Sequence, residues 1–207
     1  MFYRKKRLTS IVSLCSFVVL LSCGTSQLVT VEKGFMLEQG KSIAVVSGSN
    51  DDNSISLAEM ISERLSEKGR FKVLTQSDIS KKIPKYPLNI NLIDFSIPKK
   101  DQRKYTSFLT KTSKDNIDAF QKIVKTDYML VVWIDRIISD NSGCRIFVIS
   151  RLIAYPEGNI IGFSNSWNDK YKSCLGGNVW VNVFNNTTKD YVDEIIDITK
   201  KQVNKND

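Results

Sequence analysis

Cysteine carries the most reactive chemistry in this sequence, and its four copies fall into two pairs: Cys15 with Cys23, and Cys144 with Cys174. The thiol is the strongest side-chain nucleophile near neutral pH, so acylation, oxidation and metal ligation are the reactions to weigh. The first pair sits inside or beside the apolar stretch SIVSLCSFVVLLSCGTS, residues 10–26, which reads as a membrane helix, a redox pair or a removed leader. The chain has no histidine. That excludes histidine-based triads, histidine metal sites and the usual general base near pH 7. No pair of carboxylates has a spacing that points to acid–base work, so no catalytic residue, cofactor or metal site is expected. The loop Ser49-Asn50-Asp51-Asp52-Asn53 lies where nucleotide-binding folds place phosphate. Its two aspartates would repel phosphate, and the glycine pattern is absent. Its oxygens suit Ca²⁺, but the far carboxylate of an EF-hand loop is missing, so a solvated turn is the expectation.

The elements around the first cysteines separate their readings. Arg4, Lys5, Lys6 and Arg7 precede an apolar run from Ile11 to Leu21. A spanning helix needs ~20 apolar residues, more than this run supplies. A basic head, a short apolar middle and small residues after it describe a secretory signal peptide. Its end, Leu20-Leu21-Ser22-Cys23-Gly24, resembles the bacterial lipoprotein signal. That resemblance implies cleavage before Cys23, a diacylglycerol on the Cys23 thiol and a palmitate-type anchor, each buried CH₂ contributing ~0.8 kcal/mol. Residues 1–22 are then the leader, and Cys15 leaves with it. The aspartate that retains lipoproteins in the inner membrane of some bacteria is absent, since Gly24 follows the cysteine. The expected place is the cell envelope at the outer membrane, facing the periplasm or the surface.

The formal charge of +8 is unevenly spread. Residues 1–22 hold four of the 30 basic residues and none of the 22 acidic ones, leaving +4 for the mature chain. With no RNA- or DNA-binding motif, a nucleic-acid partner is not expected. Cys144 and Cys174 form a leftover pair in an exported chain and read as a candidate disulfide, with two buried thiols as the alternative. Such a bridge stabilises by roughly 3–4 kcal/mol in the chain-entropy model.

Residues 23–40 read as the lipidated end and a polar tether, and 41–203 as one α/β domain ending in a polar tail, 204–207. Ile43 to Val46 form a short buried strand. Leu57, Met60, Ile61 and Leu65 share a helical face, with Ser56 and Glu59 as a capping box and Gly69 as the stop. A second strand spans Phe71 to Leu74, parallel to the first. Residues 81–114 break the pattern, with three prolines and nine basic residues against Asp94 and Asp101. Leu88, Ile90 and Leu92, then Ile93, Phe95 and Ile97, alternate with a phase shift that fits a bulged extended segment. A helix follows with Ile117, Phe120, Ile123 and Val124 on one face and Asp115 at its start. Tyr128 to Ile134 read as a central strand, and two more strands flank the turn Tyr155-Pro156-Glu157-Gly158. In that hairpin Cys144 and Cys174 sit near the same open end. Val192, Ile195, Ile196, Thr199 and Val203 form the stripe of a closing helix. Trp133, Trp167 and Trp180 read as core or strand-edge residues.

This order resembles the α/β domain shared by CsgG-type curli-export lipoproteins, LpoB-type activators of penicillin-binding proteins and the N-terminal domain of TolB. The residues that carry it are Gly69-Arg70-Phe71-Lys72-Val73, Thr126-Asp127-Tyr128-Met129-Leu130-Val131 and Glu157-Gly158-Asn159-Ile160-Ile161. Lys125-Thr126 stands where that group has Gly-Ala, and the glycine after the strand is missing. The resemblance spans roughly residues 41–203. It implies a single mixed sheet in the order β-α-β-(insert)-α-β-β-β-α with helices packed on it. It also implies action by partner binding or envelope assembly, with no catalytic residues to transfer.

The expected function is therefore that of a non-enzymatic, lipid-anchored envelope lipoprotein binding an envelope protein or anionic polymer. The alternative is a subunit of an oligomeric export or assembly complex of CsgG type. Lys99, Lys100, Arg103 and Lys104 in the insert are the candidate contacts, their affinity falling with salt. A solvated loop is the plainer reading of the same residues. A membrane-crossing hairpin finds a strand of the right length in 88–97, but 102–112 alternates poorly and is charged.

Overall fold

Ile43, Ala44, Val45 and Val46 are all fully buried, which a strand achieves only when both of its faces are covered. That strand is β2 (Ser42–Ser47), preceded in sequence by β1 (Thr30–Val31). The computed structural model describes residues 30–31, 37–88, 90–94, 109–140, 143–171, 185, 188–189 and 191–197. Of these, 30–31, 139–140, 143–145 and 163–171 are described by backbone alone. β2 runs parallel to β3 (Lys72–Leu74) on one side and to β4 (Tyr128–Asp140) on the other. β5 (Gly143–Ala154) and β6 (Asn159–Tyr171) continue antiparallel, and β1 closes the far edge against β6. Among the described residues the sheet has six strands in the order β1-β6-β5-β4-β2-β3. The mixed α/β class and single mixed sheet are as the sequence implies.

Helices cover both faces and create two cores. Tyr128, Leu130 and Val132 of β4 meet Leu57, Ile61 and Leu65 of α1 (Asp52–Glu67) and Val192, Ile195 and Ile196 of the helical residues 191–197. The alternate residues Met129, Val131 and Trp133 meet Ile79 of α2 (Gln76–Lys82) and Ile117, Phe120 and Val124 of α3 (Lys111–Val124). The period-2 alternation of a strand is what splits one apolar run between two cores.

Local chemistry differs from expectation at several points. α1 is capped by Asp51, whose carboxylate accepts from Ser54 N at 2.9 Å, more than a turn earlier than a box at Ser56 and Glu59 would place it. Ser54 is then free to turn inward, where its hydroxyl accepts from Ile134 N at 2.9 Å beyond the end of β2. α3 is capped by Thr110 rather than Asp115, which instead pairs with Lys111 one turn into the helix. Ile123 leaves the apolar face and is 49% exposed. Residues 90–94 form no regular strand, but Leu92 and Ile93 are both buried, as the phase shift between them requires. α2 was hidden behind the lysines of the insert, and Thr75 caps it. Within the stretch read as a tether, Thr30 and Val31 pair with Phe163 and Gly162, and Leu37 is fully buried.

The C-terminal hairpin is as expected, with Gly158 at φ 68° closing its turn. Its register sets Cys144 opposite Tyr171. Thr199 and Val203 lie outside the described residues.

Candidate functional site

The basic insert leaves and rejoins the fold at fixed points. Ile83, Tyr86, Leu92 and Ile93 are buried in the second core. The Tyr86 hydroxyl donates to Gln76 Oε1 at 2.6 Å, and burial pushes that phenol up from its ordinary range. Leu92 N and Ile93 N both donate to the Gly48 carbonyl, at 3.2 and 3.0 Å. Asp94 N donates to Ser113 Oγ at 2.8 Å, and Ser113 N donates to the Thr110 cap at 3.0 Å. The chain before segment 95–108 is thus tied to the helix after it, and Asn116 Nδ2 adds a longer bond to the Asn91 carbonyl at 3.5 Å. Gly48 is needed for this approach, because a Cβ would stand 2.8 Å from Ile93 Cγ1 and 3.0 Å from the Trp133 ring.

This footing occupies the carboxyl end of β2, between two parallel neighbours. In open α/β sheets that switch point is the usual ligand crevice. Here Leu92 and Ile93 fill it with apolar side chains. Asp51 is engaged as a helix cap; burial raises its carboxyl, but the bonds from Ser54 and Ser49 outweigh that and hold it below the usual range. Asn50 to Asn53 are exposed, in keeping with a solvated turn.

Lys99, Lys100, Arg103 and Lys104 lie outside the described residues, as do Cys23, Cys174 and Trp180. Cys144 belongs to β5, and Cys174 follows its partner Tyr171 by three residues. Trp133 is a core residue, 4% exposed, and Trp167 lies in β6.

A second feature, which the sequence reading missed, lies at the opposite end of α3. Lys125 caps that helix in the left-handed region at φ 58°, and the chain turns straight into β4. Between this cap, the start of β2 and the β5–β6 turn is an open cleft of about 680 Å³, lined among others by Lys114, Asp118, Lys122, Asp127, Tyr155 and Glu157. Asp127 accepts from Ser42 Oγ at 2.6 Å and Ser42 N at 2.8 Å, and its own N donates back to Ser42 Oγ at 2.9 Å. These bonds from Ser42, helped by the Lys41 charge, hold the Asp127 carboxyl below its ordinary range. The Tyr155 hydroxyl donates to Asp118 Oδ1 at 3.4 Å, and burial, then the Asp118 charge, push the phenol up. One acid stays ionised and one phenol stays protonated near neutral pH. The cleft therefore offers fixed polar contacts. Its legible signal was an aspartate set directly before the longest apolar run of the domain.

No protein-family model matches the chain, and no curated protein matches it by sequence. Among solved structures, a PelC dodecamer from Paraburkholderia phytofirmans is similar at 12% identity and TM-score 0.47, covering 79% of this chain and 94% of that one. A second PelC crystal form gives 10% identity, TM-score 0.45 and coverage of 81% and 95%. The lipoprotein GNA1162 from Neisseria meningitidis gives 14% identity, TM-score 0.40 and coverage of 69% and 91%. At these values, what those proteins assemble into stays a property of those proteins. Among the described residues, no helix is long and apolar enough to cross a membrane.

Proposed function

We propose that this chain is a lipid-anchored lipoprotein of the bacterial cell envelope, held through Cys23, that binds an acidic envelope protein or anionic polymer and catalyses no reaction. The observation that carries the binding role is the footing of the insert. Four buried residues, Ile83, Tyr86, Leu92 and Ile93, and the Asp94–Ser113 bond hold the chain on either side of segment 95–108 to the fold. A loop serving only solubility needs no such footing. The absence of histidine supports a non-enzymatic role. The expected location is the outer membrane, and the proposal includes a Cys144–Cys174 bridge, with Cys174 three residues beyond Tyr171, the strand partner of Cys144.

Replacing Lys99, Lys100, Arg103 and Lys104 together by glutamine should weaken capture of partners from solubilised envelopes while the melting temperature holds. Equal capture by the variant would reject the role of the insert. Intact-mass measurement of native protein, with and without reduction, reads the other two elements: acyl chains on Cys23 and two hydrogens missing at the bridge. A bare thiol at Cys23 would end the lipoprotein reading.

A further inference from the structure

The two helical layers of this molecule carry opposite charge. On the face formed by α1 with its cap Lys68 and the described helical residues 188–189 and 191–197 stand seven carboxylates against Arg64, Lys68 and Lys189, both lysines pairing with Asp193. On the other face, residues 76–94 and 111–125 bring seven lysines against four aspartates. Every one of those lysines is exposed. Lys81 pairs with Asp78 at 3.3 Å, Lys111 pairs with Asp115 at 2.9 Å, and Lys82 donates to the Val124 carbonyl at 3.0 Å. Lys85, Lys114, Lys122 and Lys125 have no ion pair among the described residues. The two large exposed apolar side chains among the described residues, Leu88 at 62% and Ile123 at 49%, belong to this same layer. Both leave a core-facing segment to point outward: Ile123 sits beside buried Val124, and Leu88 follows buried Tyr86.

We propose that the α2/α3 face is a peripheral docking surface for an anionic lipid bilayer, with Lys85, Lys114, Lys122 and Lys125 on headgroups and Leu88 and Ile123 dipping between them. Lysines near such a surface attract anionic lipid within about one Debye length, and a few apolar side chains add burial at the headgroup boundary. Asp127, itself paired with Lys41, and Glu157 near the cleft temper this field and bring the count to eight lysines against six carboxylates. The strongly acidic α1 face turns away from the bilayer in this orientation. The choice of lipid over an acidic protein rests on the lipoprotein reading above. With Thr30 already paired in the sheet, the seven residues from Cys23 span at most ~25 Å, which keeps the domain against the membrane.

The test uses the full mature chain carrying Cys23→Ser, so that no acyl chain contributes. It should sediment with phosphatidylglycerol-containing vesicles at low salt, leave them at high salt, and ignore pure phosphatidylcholine. Replacing Lys85, Lys114, Lys122 and Lys125 by glutamine should weaken binding by about tenfold or more. The pair Leu88→Ser and Ile123→Ser should weaken it by several-fold, and both variants should keep the parent melting temperature. Absence of vesicle binding overturns the proposal. So does full binding by the four-lysine variant, which would place the attraction elsewhere, or equally tight binding of soluble polyglutamate, which would indicate an acidic protein partner. Failure of the lipoprotein reading would show separately, as a bare Cys23 thiol in native protein, with vesicle binding by the Cys23→Ser chain unchanged.

Discussion

Gly48 and Asp127 mark the two ends of the parallel strands, and each acts through a different kind of contact. At Gly48 the issue is space. A methyl group would press on Ile93, Trp133 and Val131 at once, none of which is the loose tip of a flexible chain. Gly48→Ala should therefore destabilise by ~1–3 kcal/mol, the range for overpacked cores, read by denaturant midpoint at constant slope. At Asp127 the issue is charge. Its folded-state pKa is depressed by Ser42, so its contribution is complete above the ordinary carboxylate value of 3.8 and is lost as pH falls through the lower folded value. The side chain is 41% exposed, which screens the effect and keeps it small. Asp127→Asn should melt below the parent at pH 7, and the gap should narrow as the pH drops under 3.8. A gap that widens in acid would refute the assignment. Gly48 was not singled out from sequence, and Asp127 stood in the Thr126–Val131 motif without a role of its own. A glycine whose neighbours arrive from distant segments looks like any loop glycine in one dimension, whereas the aspartate before a buried strand was visible but unassigned.

Helices and strands were legible in proportion to how far their apolar pattern was set by one partner surface. α1 and α3 were found because each buries a single stripe, and β2 and β4 because an apolar run covered on both faces is hard to read otherwise. Ends were read less well, since several residues near each start can cap. Thr110 and Asp115 are both good N-cap types, and only the path of the chain past Ser113 decides for Thr110. Thermal melts can check this: Thr110→Ala should cost ~1 kcal/mol, while Asp115→Ala, removing an exposed pair with Lys111, should cost a few tenths at most. The reverse order would return the cap to Asp115. α2 stayed unread because its lysines share the composition of the insert, and because Ile79 is its single buried residue. A two-residue strand such as β1 has no periodicity to detect.

At the scale of the whole molecule, the order of strands from β2 to β6, with α1 and α3 between them, followed from the sequence, but the extent of the domain did not. Leu37, in a stretch whose composition is that of a linker, is fully buried in the first core beside Phe71 and Tyr128. The neighbouring Glu38 N donates to the Tyr128 hydroxyl at 3.1 Å. Composition averages over a stretch; a single leucine that finds a hole in the core is invisible to it. Leu37→Ala should lower unfolding free energy by ~2–5 kcal/mol in chemical denaturation. A loss under ~0.5 kcal/mol, as for surface changes, would restore the linker reading.

The pairing of Thr30 and Val31 with β6 also decides how the molecule bears force. Any pull on the amino-terminal end is taken first by two rungs at the rim of the sheet, and only afterwards by Leu37 and the core behind it. The rim is a weak fastening ahead of a strong one. Under load at that end, the two rungs should part before the core is strained.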